Sequence, residues 1–127
     1  MIQFKVRQMK NQKTEEVYFF PAVTNLETSK IKEVVSQIEK QCTLTRADVK
    51  SVLLALEYVV TQQLQAGHTI RLGNLGSFRP TIVAGYGSDS PSGVTSKNIK
   101  AVRCRFTPSA ALQLSLQKSN VELERVE

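Results

Sequence analysis

Between Thr45 and Gly67 runs one helical pattern whose apolar residues fall almost all the way round it: Val49, Val52, Leu53, Leu54, Leu56, Tyr58, Val59, Val60 and Leu64. An ordinary surface helix carries one apolar stripe, so a helix this apolar has to be covered from several sides. The preceding segment offers one cover. Ile31, Val34, Val35, Ile38 and Cys42 recur at i, i+3, i+4, i+7 and i+11, which predicts a first helix over roughly Thr28 to Cys42. One short helix cannot span so wide an arc, and 127 residues, 41% of them hydrophobic, supply about one core. The simplest source of the missing cover is a second copy of the chain, so the pattern predicts a homodimer with a helical interface. Thr45 marks the start of the second helix as its N-cap, with Asp48 three residues on completing a carboxylate form of the capping box.

The flanking segments change period. Ile2, Phe4 and Val6 alternate with Gln3, Lys5 and Arg7; after a polar turn at residues 11–13 come Val17, Tyr18, Phe19 and Phe20, a run stopped by Pro21. Two strands are predicted there, as a hairpin. After Gly67, His68, Ile70 and Leu72 alternate with Thr69 and Arg71, and the turn Gly73-Asn74-Leu75-Gly76 leads into Phe78, Pro80, Ile82 and Ala84, which alternate with Ser77, Arg79, Thr81 and Val83. Residues 85–98, GYGSDSPSGVTSKN, read as a mobile loop. A third strand follows in which Val102, Cys104 and Phe106 alternate with Ala101, Arg103 and Arg105. Thr107 is then expected to cap a helix with Pro108 at its first position, continuing through Ala111, Leu112 and Leu116. A last strand near Val121 and Leu123 would pair with the N-terminal one.

Seventeen Lys and Arg against eleven Asp and Glu give a formal charge of +6 and a pI near 9.6, which favours a polyanionic partner without naming one. Its distribution says more. Residues 27–66 balance, whereas residues 67–107 hold Arg71, Arg79, Lys97, Lys100, Arg103 and Arg105 against Asp89 alone. In the strand register above, Arg71, Arg79, Arg103 and Arg105 fall on one sheet face, with the apolar residues on the other. A guanidinium is a planar fork of donors matched to phosphate oxygens, and a duplex presents one negative charge per roughly 1.7 Å of its axis. The plain alternative is a solvated outer face, but such faces mix signs and this one does not.

The stretch GHTIRLGNLGSF at 67–78, preceded by LTRADVKSVLLALEYVVTQQLQA, resembles the bacterial histone-like HU and IHF proteins. The resemblance spans about Glu27 to Gln117, with VRCRFTPSAAL matching the family's last strand and closing helix. It implies an α+β fold: a helical dimer base, a three-stranded antiparallel β saddle and a pair of arms that embrace the DNA minor groove. It also implies core positions for Leu75, Phe78 and Phe106. The expected division is an N-terminal β extension at 1–26, an HU/IHF-like DNA-binding domain at 27–117 and a C-terminal strand or tail at 118–127, as in the larger HU-like proteins. The arm departs from the family pattern, in which a basic segment ends in Arg-Asn-Pro. Here it is short and contains Asp89, leaving Pro91 and Tyr86 as candidate tip residues; a turn-forming proline and a surface tyrosine are the plain alternatives.

The resulting expectation is an architectural protein that binds double-stranded DNA with low sequence specificity. Arg71, Arg79, Lys97, Lys100, Arg103 and Arg105 would contact phosphates or line the minor groove, with bending of the duplex an open accompaniment. Two rivals remain: an RNA- or ribosome-associated basic protein using the same face, and a protein-interaction module using the terminal strands. Nothing points to catalysis, a cofactor, a metal or a small-molecule substrate. His68 has no nucleophile or acid beside it in sequence, the 73–76 glycines sit strand to strand without a following Lys-Ser or Lys-Thr, and Cys42 and Cys104 lie on apolar stripes as small hydrophobes. Two unclustered cysteines, a first decapeptide without an apolar run and no membrane-length apolar stretch lead to the expectation of a reduced, cytoplasmic, nucleoid-associated protein.

Overall fold

The computed structural model describes residues 1–126. In chain order the elements are β1 (Ile2–Lys10), β2 (Val17–Val23), α1 (Ile31–Gln41), α2 (Arg46–Gln65), β3 (Ile70–Leu72), β4 (Gly76–Ala84), β5 (Ile99–Pro108), α3 (Ala110–Ser115) and β6 (Leu123–Arg125). The chain divides into two compact units, one built from Met1–Val34 with the segment from Ser115 on, the other from Val35–Leu114.

The first unit contains a three-stranded sheet in the order β2-β1-β6, in which β1 pairs antiparallel with β2 and parallel with β6. The predicted hairpin and the pairing of the last strand with the first are both present. Pro21 does not stop the second strand, which continues through it to Val23. The reason lies in the ladder. The Thr24 N–H donates to the Gln3 carbonyl, and by the two-residue period Ala22 and Phe20 also turn their backbone groups toward β1, which leaves Pro21 facing the free edge. A missing N–H there costs no ladder bond and blunts an edge that would otherwise be open to pairing.

In the second unit, α2 begins where the capping box predicts: the Asp48 N–H donates to Thr45 Oγ1 at 3.2 Å, and the Thr45 N–H donates back to Asp48 Oδ2 at 3.4 Å. The first helix is shorter than predicted, spanning Ile31–Gln41 instead of Thr28 to Cys42. The second sheet has the order β3-β4-β5, antiparallel throughout. Pro80 lies in β4 beyond the end of β3, where β4 is paired on one side alone. The turn between β3 and β4 needs its glycines: Gly73 has φ +50° and the buried Gly76 has φ +152°.

The expected cap of the last helix is corrected. β5 extends through Thr107 to Pro108, which pairs with Gly76, so neither residue is available to start a helix. Ser109 starts it instead: its Oγ accepts the Leu112 N–H at 3.0 Å and donates to the Asn74 carbonyl, while its N–H donates to the Leu75 carbonyl at 3.0 Å. Helix cap and strand turn are thus tied at one residue. The 85–98 segment holds more internal structure than a mobile loop implies, with single 3-10 turns at Pro91–Gly93 and Ser96–Asn98.

Val35 and Val49 are the only buried hydrophobic residues among those described. In the second unit Leu54 is 54% exposed, Tyr58 64%, Ile82 64% and Val102 67%. The all-round apolar surface of α2 and the apolar sheet face therefore stay largely open in a single chain.

Candidate nucleic-acid interface

Residues that stand opposite one another across an antiparallel ladder share a face. Arg71 stands opposite Ser77, Ser77 opposite Thr107, Arg79 opposite Arg105, and Thr81 opposite Arg103. The two-residue period then collects Arg71, Arg79, Arg103 and Arg105 on one face with Ser77, Thr81, Thr107, Val83 and Ala101 between them. The opposite face carries Ile70, Leu72, Phe78, Pro80, Ile82, Val102, Cys104 and Phe106. There the rings of Phe78 and Phe106 lie 4.9 Å apart between centroids, in a tilted pair that pins β4 to β5.

All four arginines are exposed, and none forms an ion pair with a carboxylate of any described residue. Arg79 and Arg105 face each other directly across the ladder, an arrangement that like charges disfavour unless an anion relieves it. The residues interleaved with them are short. Ser77, Thr81, Val83 and Ala101 are only partly exposed and so lie lower than the guanidinium groups, and the hydroxyls of Ser77, Thr81 and Thr107 add hydrogen-bonding capacity to the same surface. Thr81 Oγ1 donates to the Arg103 carbonyl at 3.4 Å. These hydroxyls are part of the surface that charge counting misses, although strand alternation alone places them there.

Lys97 and Lys100 do not join the arginine row. The register slips by one residue where Val83 pairs with Ala101 and Ala84 with Ile99, leaving Lys100 as the extra residue of a bulge. Lys97 lies in the 3-10 turn Ser96–Asn98. Both lysines line a groove with Ala84, Gly85, Tyr86 and Ile99 at the end of the β4–β5 hairpin. Tyr86 belongs to this cluster. Pro91 does not: it is exposed and opens the other 3-10 turn, a position that suits its fixed φ. His68 Nδ1 lies 2.7 Å from Gln63 Oε1, joining the end of α2 to the start of the sheet. Cys42 and Cys104 are exposed free thiols, not covered apolar positions, in the single chain. Among the described residues no three His, Cys, Asp or Glu side chains are grouped to hold a metal ion, and no helix is long and apolar enough to cross a membrane.

This architecture matches known proteins. Residues 1–125 match the HU-HIG family, described as an HU domain fused to wHTH, Ig, or glycine-rich motif, and the chain belongs to that family. The α+β fold is HU-like, as the sequence resemblance implies. Among solved structures, a candidate DNA-binding protein from Bacteroides vulgatus is 11% identical, with a TM-score of 0.68 over 98% of this chain and 48% of the other. The chain thus spans about half the length of that protein. A point mutant of HU from Thermotoga maritima is 21% identical, with a TM-score of 0.53 over 70% of this chain and 100% of its own. An Anabaena HU solved as a cocrystal with DNA is 14% identical, with a TM-score of 0.57 over 71% of this chain and 99% of its own. No curated protein matches the chain.

Proposed function

We propose that this chain is an architectural DNA-binding protein of the HU type, which binds duplex DNA with low sequence specificity through the arginine face of its second sheet. The observation that carries the reading is the collection of four exposed guanidinium groups on one face, two of them directly opposed, without a neutralising carboxylate among the described residues. Such a surface gains affinity by releasing counterions from a polyphosphate and needs no particular base sequence. Family membership and the fold shared with an HU solved on DNA support it. The role is one of binding, not of catalysis, and it suits a nucleoid-associated protein.

Arg79 and Arg103 carry the largest share, since they lie within their strands, with Arg71 and Arg105 beside them and Lys97 and Lys100 extending the charge toward the arm. The binding unit is a homodimer. The exposure of Leu54, Tyr58, Ile82 and Val102 supports this reading, because a second copy supplies the cover that one chain lacks. Residues 27–117 form the DNA-binding domain, and 1–26 with 118–127 are additions to it.

Charge reversal tests the assignment. Arg79→Glu with Arg103→Glu is expected to weaken binding to duplex DNA at low salt by at least tenfold while the sedimentation behaviour stays that of the native protein. Unchanged DNA affinity overturns the assigned face; a preference for structured RNA over DNA overturns the choice of nucleic acid.

A further inference from the structure

The sheet β2-β1-β6 has two unlike faces. In the β1–β2 register Phe4 stands opposite Val23, Val6 opposite Pro21 and Gln8 opposite Phe19, which gathers the larger apolar residues on one side. The other side, which alternation assigns to water, carries Lys5 opposite Ala22, Arg7 opposite Phe20 and Met9 opposite Tyr18. Two aromatic rings therefore stand on the charged face. They brace one another: the Tyr18 and Phe20 centroids lie 6.4 Å apart at an interplanar angle of 45°, and the Tyr18 hydroxyl donates to Met9 Sδ at 2.6 Å. Tyr18 is nonetheless 47% exposed. Neither Lys5 nor Arg7 forms an ion pair with a described residue. The carboxylates of this sheet lie toward its ends, with Glu122 and Glu124 beside Ile2 and Gln3, and Glu15 and Glu16 in the turn after Lys10, where Lys13 offsets one of them.

Braced rings bordered by free cations on an open sheet face are the parts of a single-strand platform, in which bases stack on the rings and the cations hold the backbone. A paired duplex hides its base faces in its own stack, so such rings select strands whose bases are free. We propose that the Lys5, Arg7, Tyr18 and Phe20 face of the first sheet binds single-stranded nucleic acid, as a second site on a different sheet from the arginine face. Charge picks the occupant. An apolar protein segment would suit the opposite face, whereas two unpaired cations beside the rings match a polyphosphate backbone. Arg7, directly across the ladder from Phe20, is the cation nearest the rings in register, and Lys5 lies one step further along the same face. Rings and cations act alike on DNA and RNA strands, so the shared chemistry is that of an unpaired base with its phosphate. The site does not depend on duplex binding by Arg71, Arg79, Arg103 and Arg105.

The test titrates the full chain into fluorescent thymidylate and uridylate oligomers, alone and with unlabelled duplex in excess. Binding of either oligomer that persists in the presence of duplex supports the second site, and the tighter of the two identifies the strand. Tyr18→Ala is expected to cost about tenfold in oligomer affinity and Tyr18→Phe to retain it. Lys5→Gln with Arg7→Gln touches neither ring, so it decides the matter even if Tyr18→Ala loosens the sheet. It is expected to lower the slope of log oligomer affinity against log salt by about 1.4 per protomer and to leave duplex affinity unchanged. Absence of oligomer binding, its displacement by duplex, or an unaltered slope in Lys5→Gln with Arg7→Gln overturns the proposal. Arg79→Glu with Arg103→Glu separates this site from the arginine face: oligomer binding is expected to survive it, and loss of that binding overturns the second site while leaving the arginine face standing.

Discussion

At the scale of single residues, Gly76 shows how narrowly the saddle is specified. It is buried with φ +152°, and a Cβ placed on it would lie 2.7 Å from Cε2 of Phe106 and against the Thr107 carbonyl. Gly76→Ala therefore adds backbone strain to a clash with both the aromatic pair and the ladder, and is expected to cost about 2 kcal/mol or more in urea unfolding. Gly73, with φ +50° and nothing within 4 Å of its notional Cβ, supplies the control: Gly73→Ala is expected to cost about 1 kcal/mol, from backbone alone. Equal costs would mean that packing against Phe106 is unimportant. The residues of the proposed interface follow another logic. Arg71, Arg79, Arg103 and Arg105 are legible in the sequence because a two-residue period needs no tertiary information, and the paired register preserves it from Gly76 to Val83. Lys100 is not, because a one-residue bulge interrupts that period and is set by how the two limbs of the arm meet.

At the scale of elements, the capping signal before α2 is read correctly from sequence, whereas the end of β2 and the start of α3 depend on neighbouring strands. The Thr45–Asp48 capping box is complete within four residues, and α2 starts behind it. Thr45→Ala is expected to lower stability by about 1 kcal/mol without changing DNA affinity, measured by thermal unfolding and titration on the same preparation. Its exposed position places the effect in helix nucleation and not in packing. The cap of α3 lies two residues beyond the expected Thr107 for the opposite reason. Ser109 caps the helix only because β5 is held to Pro108 by Gly76 and because Asn74 and Leu75 supply acceptors from a turn 35 residues earlier. Pro21 teaches the same point, since whether a proline ends a strand depends on which side of the strand has a neighbour. Ser109→Ala tests the shared cap: it removes a helix acceptor and a tether to the β3–β4 turn together, so a loss of roughly 1–2 kcal/mol is expected.

At the scale of the whole molecule, Val35 and Val49 are the only buried hydrophobic residues among those described, and the homodimer proposed above would complete that core. Its melting temperature is expected to rise with protein concentration, and Leu54→Asp, placing a charge on the open surface of α2, is expected to shift sedimentation toward the monomer and abolish the transition at micromolar concentrations. A concentration-independent transition would contradict the helical interface. The apolar circumference of α2 raises the expectation of a second copy from sequence alone, and the exposure of Leu54 and Tyr58 supports the proposed dimer.

Binding of polyphosphate by the guanidinium groups gathered on one sheet face is tested by duplex affinity across a salt series for the native chain and for Arg79→Gln with Arg103→Gln. Each phosphate contact contributes about 0.9 to the slope of log affinity against log salt. The double variant is expected to lose a slope of roughly 1.8 per protomer and to converge on the native affinity as salt rises. An unaltered slope would rule out the arginine face and move DNA binding, if any remains, to another surface.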